Sequence, residues 1–276
     1  MTLPAMQRTK INDVELEVKD CGSGEPVVFV HGSMGDECFA VLEEPVLADH
    51  YRLIHYHRRG WGESEPLTAP LTIEQQAADC RAVMRHLGIE RAHLVGQSYG
   101  GIILLQTALD TPEAVQSMAL LEPGLSSILF NAPAFGAVMA KAVSLYEAGD
   151  KAGAMELFGQ TVIGPDFHAV LDQTLPPGYF ARWVADADTF FQCDAPAMQP
   201  WTFTREDAAR ITQPVLNMRG ADTQPYFREI YETLQAWLPH AENVILPDAT
   251  HAMLQTNPKG AAARLADFFA RHPLTG

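Results

Sequence analysis

The sequence predicts an α/β architecture, a mostly parallel sheet with helices on both faces, and three observations carry that prediction. Short β-branched runs alternate with amphipathic stretches of helical length from Val14 to about Leu121. Pro26-Val27-Val28-Phe29-Val30 is apolar without interruption, the mark of a strand buried on both faces of a parallel sheet. The same alternation resumes after about Arg210.

In chain order, residues 14–18 alternate apolar and charged side chains, as a half-exposed strand does. Residues 26–30, 51–56 and 92–95 read as further strands. Between the last two, Thr72 to Leu87 reads as a helix with Ile73, Ala77, Val83, Met84 and Leu87 on its apolar face, Thr72 as N-cap and Gly88 as the stop. A helical run follows Gly101 to about Leu109, then a strand over residues 117–121. From about Leu125 to Arg210 no strand pattern is convincing, and residues 146–158 and 180–191 look helical. Strands over 214–218 and 243–246 then alternate with helices over 226–238 and from about 258 to 269. We read one α/β core built from residues 1–124 and 211–276, interrupted by an insertion over 125–210.

Composition narrows the function. The 276 residues are 47% hydrophobic and 19% charged, as in an ordinary globular protein with an ample core. A formal charge of −15 disfavours nucleic acid or an anionic membrane as main partner, since both repel an acidic chain. The first residues lack a signal-peptide pattern and no apolar run is long enough to span a bilayer, so a cytoplasmic location is expected. Cys21, Cys38, Cys80 and Cys193 lie far apart without metal-ligand spacing and read as free thiols or small buried hydrophobes. No metal or other cofactor is expected; the partner is a small-molecule substrate, and a homodimer is left open.

Chemistry concentrates in Gly96-Gln97-Ser98-Tyr99-Gly100-Gly101, which directly follows one strand and opens a helix. G-x-S-x-G in that context is a nucleophile elbow, a turn so tight that glycines are needed two residues either side of the serine. The turn presents the hydroxyl at the carboxyl edge of the sheet, next to the free N–H groups of a helix N-terminus. A serine needs a histidine to take its proton. Of ten histidines, His251 follows a strand and precedes the last helix, on the same edge as Ser98; the others suit surface or structural roles.

With these residues in view, the chain resembles the α/β-hydrolase superfamily along nearly its whole length. His31-Gly32-Ser33-Met34-Gly35 resembles the family's HGxxG loop, and Arg59-Gly60-Trp61-Gly62-Glu63-Ser64 its loop after the fourth strand. Gly96 to Gly101 and His251 match the elbow and the late histidine. The resemblance implies an eight-stranded, mostly parallel sheet and a helical cap inserted after the sixth strand. It also implies an oxyanion hole from the backbone N–H groups of Ser33 and Tyr99, with Met34 the weaker donor, and a loop-shaping role for His31. Such donors stabilise the tetrahedral oxyanion, and losing one typically costs about 10²–10³ in kcat.

The triad acid has two candidates. The usual family acid follows the seventh strand, where Gly220-Ala221-Asp222-Thr223 brings Asp222 one position early. A branch similar to haloalkane dehalogenases and some lactone hydrolases takes a glutamate directly after the sixth strand, and Leu121-Glu122-Pro123 stands there. Glu122 is favoured and Asp222 is the alternative. The insertion is rich in aromatics and poor in Lys and Arg, which points to an apolar, enclosed pocket for a medium-sized ligand of low charge. Trp183, Phe190 and Trp201, with Met34, are its candidate lining. The reading is a cofactor-free serine hydrolase cleaving an ester or lactone. A carbon–carbon bond hydrolase on the same triad, a perhydrolase or lyase, and a ligand receptor of the same fold are the alternatives.

Overall fold

The computed structural model describes residues 5–67 and 69–274. Eight strands form one sheet: β1 Gln7–Ile11, β2 Val14–Gly22, β3 Glu25–Val30, β4 Tyr51–Tyr56, β5 Ala92–Gln97, β6 Val115–Leu121, β7 Val215–Gly220 and β8 Glu242–Leu246. Their order is β1-β2-β4-β3-β5-β6-β7-β8, with β2 antiparallel to β1 and β4 and every other neighbour pair parallel. Alternate side chains serve opposite layers. Val27 and Phe29 pack with Leu265, Phe268 and Phe269 of the helix Pro258–Arg271. Val28 and Val30 join the cluster containing the helices Ile73–His86 and Tyr99–Asp110. Thr72 caps the first of these through a reciprocal hydrogen-bonded box with Gln75.

Two sheet features depart from the sequence reading. Strand β1 is an additional, mostly exposed edge strand, and its polar sequence QRTKI hides it from any apolar pattern. Asn12 and Asp13, both at positive φ, turn it into β2, the backbone that a two-residue hairpin loop requires. Strand β2 is not half-exposed: Glu17 and Lys19 are buried, and the Glu17 carboxylate is held by His57 at 2.8 Å.

Between β6 and β7 the described residues are helical, with no strand among them. The longer pieces are Pro133–Glu147, Lys151–Val162, Phe167–Thr174 and Tyr179–Ala185, followed by a π-helical turn Thr189–Asp194. The helix expected over 146–158 is two helices. Gly149 breaks the chain at φ +86°, and Asp150 caps the second by accepting from the Gly153 N–H at 2.8 Å. The run expected over 180–191 is divided at Ala185, and the helix Phe167–Thr174 is additional. The four cysteines are free. Among the described residues no helix is long and apolar enough to cross a membrane.

Close approach of β3 to the helix after β5 fixes the centre of the molecule. A Cβ on Gly100 would lie 2.0 Å from the Val30 carbonyl oxygen and 2.9 Å from that of His31, both backbone atoms that cannot swing aside. Gly100→Ala is therefore expected to cost about 3 kcal/mol or more by overpacking. Urea denaturation checks this, and unchanged stability would mean that the helix can slide off the strand.

Candidate active site

The carboxyl ends of six strands deliver the site, the usual place for ligands in an open α/β sheet. Ser98 follows β5 with φ +53° and ψ −116°, a strained conformation for a residue with a side chain. Surrounding hydrogen bonds hold the strain in place. The Ser98 N–H donates to the Leu121 carbonyl at 3.0 Å, and the Ser98 carbonyl accepts from the N–H groups of Gly101 and Gly124, both at 3.0 Å. A Cβ on Gly96 would meet the Gly100 carbonyl carbon at 2.7 Å, which is the steric reason for glycines around the serine.

Glu122 follows β6, also at positive φ, and is 1% exposed. Its Oε2 lies 2.7 Å from His251 Nδ1 and accepts from Thr223 Oγ1 at 2.8 Å; its Oε1 accepts from the Gly220 N–H at 2.8 Å. An ionised carboxylate only accepts, so His251 carries its proton on Nδ1 and keeps the Nε2 lone pair for a base's work. His251 stacks on Phe227, rings 3.7 Å apart and 7° from parallel, while Gln97 Nε2 donates to its backbone carbonyl at 2.7 Å. Asp222 is exposed, and its neighbour Thr223 turns inward to support Glu122. The structure thus brings Glu122, rather than Asp222, to the histidine.

The HGxxG loop is clamped from the cap. Trp183 Nε1 donates to the Ser33 carbonyl at 2.7 Å, the Tyr179 hydroxyl donates to that of Met34, and Arg182 reaches Asp36 at 3.2 Å. Three side chains of the helix Tyr179–Ala185 therefore position the loop that carries the Ser33 N–H. The other proposed donor, the Tyr99 N–H, opens its helix and has no intrahelical acceptor. His31 is fully buried; its Nδ1 contacts the Gly32 carbonyl and its Nε2 accepts from the Arg58 N–H, each at 2.8 Å. Burial, the Arg58 charge and neighbouring histidines push its pKa well down, so it holds the loop as a neutral ring.

Beneath the loop, Arg58 makes a buried two-pronged pair with Asp194 at 2.7 and 3.0 Å. It also donates to Gln76 Oε1 and the Gly32 carbonyl, both at 2.7 Å, and lies 4.3 Å over the Tyr99 ring. Beside it, His57 bridges Glu17 (2.8 Å) and Asp36 (2.6 Å). Burial alone would lower the His57 pKa, but hydrogen bonds and charge from the two carboxylates raise it to about 9. Asp36, His55 and His57 place potential metal-ligand atoms within 4.8 Å of one another. A protonated His57 already shared by two carboxylates offers no lone pair, so His57 and Asp36 are committed to an ion-paired array, while both ring nitrogens of His55 are buried without a hydrogen-bond partner among the described residues.

Two narrow cavities flank Ser98. One is lined by Ser33, Ser98, Tyr99 and the apolar side chains of Phe135, Met139, Phe158, Phe190, Met198 and Phe227, among others. Only about 30 Å³ of it is open to the centre of a water molecule, so the helical insertion packs tightly beside Ser98. The second is lined by Ser98, His251, Met34, Glu37 and Gln97 with apolar neighbours. Phe190 lines the first cavity and Met34 the second, whereas Trp183 and Trp201 line neither. Trp183 is fully buried with its N–H committed to Ser33, and Trp201 donates to Gln106 at 2.9 Å and stacks on Phe203. Their indole N–H groups need buried acceptors, and that need decides where they go. Sequence reasoning missed Glu37, Thr223, Phe227 and the Arg58–Asp194 pair. An acidic pair, Asp36-Glu37, running into Cys38-Phe39 was the one visible signal.

Comparison with known proteins supports the fold. The family model described as the alpha/beta hydrolase fold matches residues 25–258, and the chain belongs to that family. The chain spans only 27% to 41% of the length of several curated relatives. One is the fluoroacetate dehalogenase of a Burkholderia species, 35% identical over 117 residues, which are 41% of this chain and 38% of that one. A longer match, 29% identical over 272 residues (93% of this chain, 98% of the other), is to a Mycobacterium tuberculosis protein with the provisional name non-heme bromoperoxidase BpoC. Among solved structures, an alpha/beta hydrolase from Sphaerobacter thermophilus superposes with TM-score 0.76 at 27% identity, covering 95% of this chain and all of that one.

The ion-paired array makes stability depend on pH. Folding raises the His57 pKa from 6.5 to about 9, so its contribution is complete below about 6.5 and is lost as pH rises through about 9. Unfolding free energy measured by denaturant should fall across that window by a few kcal/mol, because each tenfold change in proton affinity is worth about 1.4 kcal/mol. Glu17→Gln removes one carboxylate partner and should narrow the window; a flat wild-type profile would mean that His57 is not the bridging cation.

Proposed function

We propose that the protein is a serine hydrolase that cleaves a carboxylic ester or lactone with an apolar acyl part and little charge. The observation that carries this reading is the 2.7 Å contact of Glu122 with His251 on the same sheet edge as the strained Ser98 turn. His251 Nε2 takes the Ser98 proton as Oγ attacks the carbonyl carbon, and Glu122 stabilises the imidazolium through Nδ1–H. The carbonyl oxygen gains the negative charge and is met by the N–H groups of Tyr99 and Ser33, held by the helix start and by Trp183 respectively. Collapse breaks the ester bond, and the leaving oxygen takes the Nε2 proton. Water then enters, gives its proton to His251, and releases the acid with Ser98 restored. The apolar cavity beside Ser98 and Tyr99 suits the acyl chain, and its aromatic walls disfavour a phosphorylated or strongly acidic one.

The test is labelling by a fluorophosphonate together with hydrolysis of a p-nitrophenyl ester and lactone panel. Ser98→Ala should abolish labelling and turnover. Glu122→Gln should lower kcat by about 10⁴, the scale seen when a triad carboxylate becomes an amide. Asp222→Asn should leave both unchanged. Full activity in Ser98→Ala would overturn the nucleophile, and loss in Asp222→Asn alone would move the acid to β7.

A further inference from the structure

The two cavities at Ser98 differ in chemistry, and only the second is lined by His251. On the hydrolase reading above, on which this inference rests, His251 hands its proton to the leaving oxygen, so the alcohol part of the substrate sits in that second cavity. Two polar side chains there are each anchored at one end. Gln97 Nε2 is fixed on the His251 carbonyl, and Glu37 Oε1 accepts from the Gly32 N–H. Their other ends, Gln97 Oε1 and Glu37 Oε2, are buried and have no partner among the described residues. Glu37 is 2% exposed and stands across Gly32 from the nucleophile: a Cβ on Gly32 would lie 2.9 Å from Glu37 Oε1 and 3.0 Å from Ser98 Cβ. Unpaired buried polar atoms on side chains that line a reaction cavity are groups a ligand can satisfy.

We propose that Glu37, as a neutral carboxylic acid, and Gln97 form a donor–acceptor pair that recognises an uncharged leaving alcohol bearing a second hydroxyl or an amide. Glu37 Oε2–H supplies the donor and Gln97 Oε1 the acceptor, and a hydroxyl or amide carries one of each. A carboxylate or phosphate could accept from Glu37 Oε2–H but has no donor for Gln97 Oε1, whose lone pairs would repel it, and an alkyl group would leave both atoms unsatisfied. Several charged and titratable groups surround Glu37: Asp36 on its own loop, Arg58 after β4, Tyr179 of the cap and His251. Of these, Arg58 is committed to Asp194, Gln76 and Gly32. Burial therefore dominates and raises the Glu37 carboxyl to about 7, outweighing the hydrogen bonds and the Arg58 charge that oppose it.

The experiment compares kcat/KM for 3-hydroxypropyl butanoate and butyl butanoate, which differ by a hydroxyl for a methyl, and for the trimethylammonioethyl ester. The hydroxypropyl ester should lead its alkyl twin by about tenfold, the scale of one good hydrogen bond. That ratio should fall as pH rises through about 7 in the wild type. It should become independent of pH in Glu37→Gln, whose amide still donates. Glu37→Leu and Gln97→Leu should each bring the ratio towards one, and taking it within each variant cancels any general disturbance of the site. A wild-type ratio near one, a ratio unchanged in both leucine variants, or preference for the trimethylammonium ester overturns the pair. If Ser98 takes the fluorophosphonate label and both esters turn over without preference, only the pair falls. If nothing is labelled or hydrolysed, the hydrolase reading falls with it.

Discussion

The buried pair between Arg58 and Asp194 is the constraint on which the site depends. Taking both charges out of water is costly, and such a pair persists only where geometry is good and further hydrogen bonds offset the cost. Here the guanidinium uses two nitrogens on Asp194, shares them with Gln76 and the Gly32 carbonyl, and covers the Tyr99 ring. Asp194 in turn accepts from Trp61 Nε1 at 3.1 Å. One cation therefore connects the segment after β4, the cap, the helix Ile73–His86, the HGxxG loop and the residue after the nucleophile. Removing either charge alone would leave the other buried, typically a loss of about 3–5 kcal/mol.

Strain is concentrated at the same edge. Ser98 and Glu122 both sit at positive φ, in a region that non-glycine residues seldom occupy. Each costs on the order of 1–3 kcal/mol, and each is over-determined by neighbouring strands. The Ser98 N–H is tied to β6, and the Glu122 N–H donates to the Met218 carbonyl of β7 at 3.1 Å. The sheet supplies the rigidity, so Ser98 and Glu122, the proposed nucleophile and acid, are fixed by β5, β6 and β7. The close packing of Gly100 against β3 serves the same end, since it locks the helix whose first N–H is the proposed oxyanion donor.

What the sequence revealed and what it hid separate along physical lines. Periodicity and glycine placement are local properties, so the buried strands, the elbow and the position of His251 could be read directly. The acid could be narrowed to Glu122 or Asp222 because each ends a strand, but the inward turn of Thr223 that favours one depends on tertiary packing. Strand β1 escaped because an edge strand needs no apolar pattern, only a partner for its backbone. The cap was legible as helical and aromatic, yet its tryptophans were misplaced as pocket walls. An indole N–H that must find a carbonyl or amide oxygen is a long-range requirement, and spacing along the chain carries no record of it.

The balance of charge explains why these parts are arranged so closely. The Glu122 carboxylate is met by the Gly220 N–H, the Thr223 hydroxyl and the His251 Nδ1–H, so its charge is compensated before reaction begins. In the proposed mechanism, transfer of the Ser98 proton adds an imidazolium beside that carboxylate and an oxyanion near Ser33 and Tyr99. In a site walled by Phe135, Phe158, Phe190 and Met198, the low local dielectric magnifies each of these interactions, whether favourable or not. A second ionised carboxylate on the oxyanion side would oppose the transition state. Glu37, buried against the Gly32 N–H and lacking a cation of its own, is held by that environment towards the uncharged form. Burial at that position therefore also sets the charge of a carboxyl that would work against the proposed oxyanion.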